Sequence, residues 1–585
     1  MIDSRDPRSR SETAESGAIV EAAPAGASAP AVAPGLGPQA LGPEWWREGV
    51  VYQIYPRSFA DSNGDGLGDL PGIIGRLDHL GPGGLGIDAV WLSPIYPSPG
   101  LDVGYDVSDH EAVDPRFGTE RDFDQLVVEA HRRGIRVVLD LVMNHTSDRH
   151  PWFEASRRSR DNPYADWYLW RDPAGYDGRG RPRRPNNWVS FFGGPAWAWE
   201  PRRGQFYHHT FLAEQPDLNW RNPAVEQAQF RMVRRWLDRG VDGFRLDVFN
   251  VFLKHPDLPS NPRRRGTTAW SRQVHRHDRD QPDFVDLVGR FRALVDSYPA
   301  TFTVGELFDG GAERAAELAA DRHLVFDWEL LGAPWSAEAF GRVIDRREGV
   351  FGPERWPALV LSNHDQPRHA SRLARSAGTD DIDGIARAAA LILLGLRGTP
   401  FLYYGEEIGM VDVPIPAEEI VDPPARRASA AFPWWNRDQC RTPMPWSGDP
   451  GAGFTTGRPW MRIGPDAAVR NVAAQASDPD SVLACYRRLL AARRSVAALR
   501  IGRLRRLSTG DPDLLAWQRG DGPDAAVVVV NFATSERRVR WGRNGGAGDG
   551  VRRRTLVGTR AEPARPGAGG ELVLRGLEGV VLVAA

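Results

Sequence analysis

Eight short apolar runs, interleaved with amphipathic stretches, constrain this chain more than any other feature. They are Val50–Tyr55, Ala89–Ser93, Val137–Val142, Gly243–Val248, Phe302–Glu306, Leu324–Trp328, Leu359–Ser362 and Phe401–Tyr404. Helical patterns lie between several of them, among them Arg121–Arg133, Val225–Arg239, Pro282–Ser297 and Gly384–Leu396. Eight strands separated by helices predict an α/β fold, a (β/α)8 TIM barrel. The spacing breaks once, between the third and fourth strands. The stretch from Ser147 to Phe211, rich in Trp, Pro, Gly and Arg, fills the gap. Barrels carry such insertions on the C-terminal face, where active sites sit.

The ends of the chain read differently. Residues 1–43 are rich in Ala, Pro, Gly and Ser without periodicity, which predicts a disordered tail. Order is expected to begin near Trp45 and Trp46. Beyond a helix at Leu483–Arg494, short runs at Leu514–Trp517, Ala525–Val530, Arg537–Arg540 and Val580–Val583 are separated by Gly, Pro and Asp turns. They predict a C-terminal antiparallel β-sandwich. The expected division is a tail at 1–43, a barrel at 44–146 and 212–500, an inserted irregular subdomain at 147–211, and the sandwich at 501–585.

Composition removes several classes of function. Seventy-four Lys and Arg against 76 Asp and Glu leave a net charge of −2, so no basic excess points to nucleic acid. No 18-residue apolar run marks a membrane span, and no secretory leader pattern opens the chain. A cytoplasmic location is the expectation, with a monomer or homodimer as the assembly. The two cysteines, Cys440 and Cys485, are too few for a disulfide framework or a zinc site and are expected to be inert.

Polar residues at the C-terminal ends of barrel strands read as chemical rather than structural. The third run continues into Asp140-Leu141-Val142-Met143-Asn144-His145. The fourth carries Gly243-Phe244-Arg245-Leu246-Asp247-Val248, the fifth ends in Val304-Gly305-Glu306, and the seventh in Ser362-Asn363-His364-Asp365. One such carboxylate is most simply a cap or half of an ion pair. Three on successive strands, Asp247, Glu306 and Asp365, would converge on one mouth. Arg245 is two residues from Asp247, on the same strand face.

These four segments, in this order and spacing, resemble the signatures of the α-amylase superfamily (glycoside hydrolase family 13). The resemblance covers nearly the whole chain after residue 43. Gln215-Pro216-Asp217-Leu218-Asn219-Trp220, Tyr52-Gln53-Ile54-Tyr55-Pro56-Arg57-Ser58-Phe59 and Cys440-Arg441-Thr442-Pro443-Met444-Pro445-Trp446 are similar to its α-glucosidase and oligo-1,6-glucosidase branch. The resemblance implies a retaining mechanism with Asp247 as nucleophile, Glu306 as acid/base and Asp365 as the third catalytic carboxylate. It implies substrate contacts from Asp102, Tyr105, His145, Arg245, Val248, His364 and Arg441. An ion pair of Asp102 with Arg441 would close the site into a pocket behind a terminal sugar. Val248, next to the nucleophile, is the type that accompanies α-1,6 activity in this branch.

Asp61-Ser62-Asn63-Gly64-Asp65-Gly66-Leu67-Gly68-Asp69 places oxygen side chains at positions 1, 3, 5 and 9 with Gly at position 6. Position 12 is Gly72, so this is no EF-hand; a polar turn is the plain alternative, but five residues at oxygen-ligand spacing favour a hard cation. The family branch tips the expectation to a structural Ca2+ held by Asp61, Asn63, Asp65, Asp69 and the Leu67 carbonyl, with no organic cofactor. Glu406 and Glu407 are assigned to a structural network. The expected activity is hydrolysis of terminal non-reducing α-linked glucose from small α-glucosides, α-1,4 and/or α-1,6. The alternative is a trehalose synthase, sucrose isomerase or transglucosylase using the same residues.

Overall fold

The structure, a computed structural model, describes residues 42, 44–308, 310–319, 324–427, 435–540, 552–567 and 570–585. The expected tail at 1–43 therefore lies outside the described residues, apart from Gly42.

Eight parallel strands close into a barrel: β1 (Val51–Ile54), β2 (Ala89–Leu92), β3 (Arg136–Leu141), β7 (Gly243–Leu246), β8 (Phe302–Gly305), β9 (Leu324–Asp327), β10 (Ala358–Val360) and β11 (Thr399–Tyr403). β1 closes the ring, pairing Val51 with both Ala89 and Phe401. All eight expected strands are present, each within two residues of its predicted ends. Side chains alternate along a strand, so every second residue faces the barrel axis. Val51, Trp91, Val138, Val304, Phe326, Val360 and Phe401 meet there in one buried cluster.

Trp45, Trp46 and Trp356 join that cluster from below. The short helix Trp45–Glu48 plugs the N-terminal end, where the Trp45 indole donates to the Ala300 carbonyl at 2.8 Å. Helices cover the outside through apolar stripes. Glu120–Arg132 buries Phe123, Leu126, Val127 and Ala130 and starts on a Thr119–Asp122 capping box. With the bottom plugged and the walls packed, only the C-terminal face is left for chemistry.

Between β3 and β7 the chain makes a small antiparallel sheet, β4 (Trp170–Arg171), β5 (Trp197–Glu200) and β6 (Gln205–His208), in the order β4-β6-β5. Its own core contains Trp188, Trp197 and Phe206, with Leu258 contributed by the loop after β7. The Trp188 indole donates to Pro259 and Asn186 to Leu258, so insert and loop are clasped together.

The C-terminal region is antiparallel. One sheet runs β12 (Leu504–Leu507), β13 (Leu514–Arg519), β14 (Ala526–Asn531), β18 (Gly579–Ala584), β16 (Arg553–Gly558), and a second pairs β15 (Arg537–Arg540) with β17 (Glu571–Leu574). Leu514, Ala516, Val527 and Leu582 of the first meet Val539, Leu572 and Leu574 of the second in one core, as in a sandwich. The opposite face of the larger sheet, through Leu515, Trp517 and Val528, joins the core of the barrel's outer layer. Among the described residues, no helix is long and apolar enough to cross a membrane.

Candidate active site

The ends of β3, β7 and β8 are locked by a backbone ladder that runs past the strands. Asp247 N donates to Leu141 O at 3.0 Å and Glu306 N to Leu246 O at 2.9 Å. This fixes the two acids side by side. Between and beneath them lies Arg245, fully buried. Its Nη1 donates to Asp247 and to Asp140, each at 2.7 Å, and its Nη2 to Glu306. One guanidinium thus bridges both carboxyls, and Asp140 also accepts from the Tyr105 hydroxyl at 2.9 Å and the Trp91 indole at 3.2 Å.

Backbone strain marks both acidic walls. Val248, directly after Asp247, has φ 36° and ψ 41°, and Val103, directly after Asp102, has φ 52°. A β-branched residue in the left-handed region is a costly outlier, held only where surrounding contacts dictate it. The Val248 amide donates to Glu306 at 3.3 Å, which ties the strained turn to the second acid.

The opposite wall ends the cavity. Arg437 reaches Asp102 at 2.9 Å and Asp365 at 3.0 Å, and is backed by Asp422 at 2.7 Å. Gln215 donates to Asp102 at 3.1 Å and lies 3.1 Å from His145 Nε2. The His364 ring stacks on Tyr105, with centroids 5.2 Å apart and planes 8° apart. Its Nδ1 is bonded to Gln53, while its Nε2 has no hydrogen-bond partner and stands 3.4 Å from Asp365. The cavity measures about 940 Å³ and is lined by Asp102, Tyr105, His145, Asp247, Glu306, Asp365 and Arg437 on this side, and by aromatic rings toward the mouth.

Charge and burial set the protonation states. Burial pushes Asp247 and Glu306 upward against the pull of Arg245, and each acid repels its neighbours. With Asp140 they crowd one guanidinium, and both carboxyls stay above their ordinary values. Burial also pushes Asp102 up to about 6, against the pull of Arg437. Asp365 behaves oppositely: burial raises it, but the surrounding cations outweigh burial and hold it below the ordinary value. His364 is not one of those cations near neutrality, since burial lowers its imidazolium to about 3. The effective charges are Arg437, Arg441 and Arg245. His145, lowered by burial to about 4, is neutral as well.

The profile described as alpha amylase, catalytic domain, matches residues 53–502. The chain belongs to the α-amylase family. It is 43% identical over 507 residues to a probable alpha-glucosidase of Rhizobium meliloti (strain 1021), covering 84% of this chain and 90% of that one. It is 39% identical over 524 residues to an oligo-1,6-glucosidase of Heyndrickxia coagulans, covering 84% and 92%. The crystal structure of the alpha-glucosyl transfer enzyme XgtA superposes with a TM-score of 0.83 at 40% identity, over 92% of this chain and 99% of that chain. This α-amylase-family chain is a glycoside hydrolase.

One expected partnership is corrected. The guanidinium on Asp102 belongs to Arg437, not to Arg441. Arg437 opens the short helix Arg437–Cys440 and faces the cavity, whereas Arg441 follows it and is buried beneath. There Arg441 donates to Asp365 at 2.7 Å and to the His364 carbonyl at 2.7 Å, bracing the end of the seventh barrel strand. Asn436-Arg437-Asp438-Gln439-Cys440-Arg441 holds two arginines four apart, and only the second stands inside the Arg-Thr-Pro-Met signature. Asp140 and Gln215 were also legible within quoted motifs, but nothing in the sequence named their partners.

Lys254, the only lysine, is a further finding. Its buried ammonium contacts Asp217 at 2.6 Å, Asn144 Oδ1 at 2.8 Å and the Val251 carbonyl. It ties the returning insert to the strand end that carries His145. Glu406 and Glu407 are buried in a separate network, Glu406 with Ser362 and Glu407 with Tyr52 and His79. Both cysteines are buried and free, and burial pushes the Cys485 thiol up to about 12.

The loop after β1 keeps its carboxylates largely on its own residues, and Asp61 also accepts from the Thr455 hydroxyl. Asp61 accepts from Asn63, Gly64 and Gly66 at 3.0, 2.8 and 2.8 Å. Asp65 accepts from Leu67 at 2.8 Å, and Asp69 from Ser62 at 3.1 Å and from Gly72 at 2.6 Å, capping the helix Leu70–Leu80. Among the described residues, no three His, Cys, Asp or Glu side chains gather as metal ligands.

Proposed function

We propose that the chain is a retaining, exo-acting α-glucosidase that releases terminal α-linked glucose from small oligosaccharides and disaccharides. The observation that carries this is the Asp102–Arg437–Asp365 bridge. It lies across the cavity that Asp247 and Glu306 also line, where it would bar a chain from threading through and admit only a terminal residue. Asp365, His364 Nε2, His145, Asp102 and Arg437 surround the place of that sugar with acceptors and donors.

The chemistry follows from the two adjacent acids. Ionised Asp247, oriented by Arg245, attacks the anomeric carbon as Glu306 gives its proton to the leaving oxygen. The second step reverses Glu306's role: it takes a proton from water, which displaces Asp247 and leaves α-glucose. Carboxyls outnumber guanidiniums around the cavity, which favours the positive, oxocarbenium-like transition state. A glucosyl acceptor other than water would make the same site a transferase, the reading that the likeness to XgtA supports.

Asp247→Gly tests the mechanism. Turnover should fall by roughly 10⁴-fold or more, and azide should restore formation of a β-glucosyl azide from an activated α-glucoside. An α-azide product, or undiminished hydrolysis, would remove Asp247 from the role. Product analysis on maltose, isomaltose, sucrose, trehalose and panose then separates hydrolysis from transfer and isomerisation.

We also infer a structural calcium at the loop 61–69. Its candidate donors, Asp61, Asn63, Asp65, the Leu67 carbonyl and Asp69, are all hard oxygens at alternating positions, which suits calcium. A cation that binds only the folded state raises stability by mass action. Calcium should raise the melting temperature of the chelated protein and leave low-temperature turnover unchanged, and Asp65→Ala should abolish that rise. An identical melt with and without calcium removes the site.

A further inference from the structure

A second cavity, of about 410 Å³, opens at the N-terminal end of the barrel, away from the strand ends that carry the acids. Val50, Asp88 and Arg136, at the starts of β1, β2 and β3, line it together with the end of the helix Val482–Ser495 and the helix Ala497–Ile501. Five guanidiniums reach it, and two of them are neutralised. Arg133 pairs with Asp78 and with Glu129, each at 2.6 Å, and Arg500 pairs with Glu48 at 2.7 Å. The other three, Arg136, Arg493 and Arg494, form no ion pair among the described residues. Arg136 lies over Trp45, 4.5 Å from the ring centroid, and its guanidinium donates to no acceptor among the described residues. Arg493 is 2% exposed. Its Nη1 donates to the Leu394 and Leu499 carbonyls at 2.9 and 2.8 Å and its Nη2 to Gly398 at 3.0 Å, while its Nε has no partner. Arg494 donates to the Gly86 carbonyl.

Carbonyls satisfy N–H groups but cancel no charge. The one acid set among these three arginines is Asp88, whose carboxylate accepts from the Val50 amide at 2.8 Å. Burial raises the Asp88 carboxyl, although Arg494, Arg136 and Arg493 all attract it. Three guanidiniums against one carboxylate leave a surplus of two positive charges around the cavity. Burial lowers Arg136, and lowers Arg493 to about 10, as expected of cations that lack a counter-ion. An anion of charge −2 offsets that surplus. The planar fork of a guanidinium matches phosphate oxygens, and charge-assisted bonds of this kind are the strong ones. Beside the arginines, Val50, Ile87 and Leu490 give the same cavity an apolar side.

We propose that this cavity binds a phosphate group, free or as the ester of a small metabolite, between Arg136, Arg493 and Arg494. No covalent step is involved. The bound anion would fasten the starts of the first three barrel strands to the helices Val482–Ser495 and Ala497–Ile501, nearly 400 residues later in the chain. It would therefore stabilise the folded barrel by mass action, from the end opposite the catalytic acids.

The test is calorimetric titration and thermal melting of the full chain with sodium phosphate, glucose 6-phosphate and sodium chloride at equal ionic strength. Phosphate should bind once per chain and, at about 100 times its Kd, raise the melting temperature by about 2 °C. Chloride should do neither. Arg136→Gln and, independently, Arg494→Gln should each weaken phosphate by about 10-fold or more, the scale of one hydrogen bond to a charged group. Arg494 is exposed, so its variant keeps the fold even if loss of the Arg136–Trp45 contact lowers the melting point of the other. Both variants keep the loop 61–69, so comparison with the wild type cancels any effect of phosphate on calcium. A glucose 6-phosphate Kd about 10-fold below that of inorganic phosphate assigns the site to an ester whose carbon frame lies on the apolar side. Equal values assign it to the free anion. No heat and no melting shift beyond those of chloride overturn the proposal. So does phosphate binding that both variants retain at wild-type strength, which would place the anion elsewhere, the catalytic cavity included.

Discussion

The closed end of the cavity and its mouth lie on the same barrel face but are held by opposite physics. The closed end is a lattice of ion pairs: Arg245 with Asp140, Asp247 and Glu306, and Arg437 with Asp102, Asp365 and Asp422. The mouth is a set of edge-to-face rings from separate loops. Buried ion pairs are expensive to form and more expensive to break, because removing one member strands the other in low dielectric. Ring contacts are individually small and forgiving. On the proposed reading, recognition of the terminal sugar would be rigid, whereas the choice of leaving group would be graded and tunable.

Breaking the closed end should give the largest effect. Arg437→Ala strands Asp102 and Asp422 and leaves Asp365 with Arg441 alone. Losing one partner of a buried pair costs about 3–5 kcal/mol, and two acids lose their only guanidinium here, so kcat/KM on maltose should fall by about 10³-fold. The pH profile adds a readout that simple unfolding does not give. Asp102 sits near 6 because burial outweighs Arg437's pull. Protonated Asp102 loses an acceptor for a sugar hydroxyl, so wild-type kcat/KM should decline as pH drops below about 6. Without Arg437 the Asp102 carboxyl rises further, and the decline should begin at higher pH. A variant with normal kcat/KM, or with an unmoved acid limb, would show that the bridge is not the end wall.

A smaller loss is expected one layer deeper. Lys254→Met removes the ammonium between Asp217 and Asn144 and leaves Asp217 with His208 and Thr210 only. Burial acts to raise Asp217, but Lys254 and His208 outweigh it and hold the carboxyl well below its ordinary value. In the wild type this stabilises the fold above the ordinary carboxylate pKa and is lost as pH falls through the lowered folded value. The variant should lose about 3 kcal/mol of stability at neutral pH, measured by denaturant unfolding. Its KM for maltose should rise through His145, the neighbour of Asn144, more than its kcat changes. Unchanged stability would show that the insert is fastened elsewhere.

What the sequence discloses divides along the same line. All eight barrel strands stand out because buried parallel strands read as apolar runs bounded by turns. The acids Asp247, Glu306 and Asp365 are legible because each occupies a strand end, a position fixed by local register. Partners across the barrel are not local. Asp102 and Arg437 are 335 residues apart, and nothing between them distinguishes Arg437 from Arg441. Helices such as Leu70–Leu80 and Ala337–Phe351 escaped notice because Gly and Pro, or scattered arginines, blur their stripes. Lys254 is conspicuous as the only lysine, yet its burial depends on three segments meeting. The aromatic mouth is least legible of all, since phenylalanines at a site and in a core look alike.

Val248 stands at the boundary between the two ends, and there the expected effect is smallest and most informative. Its amide belongs to the closed end through Glu306, while its side chain belongs to the mouth, in the cluster with Phe211 and Phe308. An α-1,6 bond adds a rotatable C5–C6 link, so its leaving sugar can swing clear of a branched side chain. An α-1,4 bond holds the second ring close to the first, where the two γ-methyls of Val248 would crowd it. Isomaltose should accordingly be at least as good a substrate as maltose. Val248→Ala keeps the amide and deletes the methyls, and an alanine sits in the strained left-handed turn more easily than a β-branched residue. Pocket changes of one or two methyl groups are worth about 1–3 kcal/mol, so the maltose to isomaltose ratio of kcat/KM should rise by about 10-fold. If the valine only packs the turn, both substrates would change in parallel and the ratio would stay fixed. Measuring both constants in both proteins separates crowding at the mouth from support of the closed end.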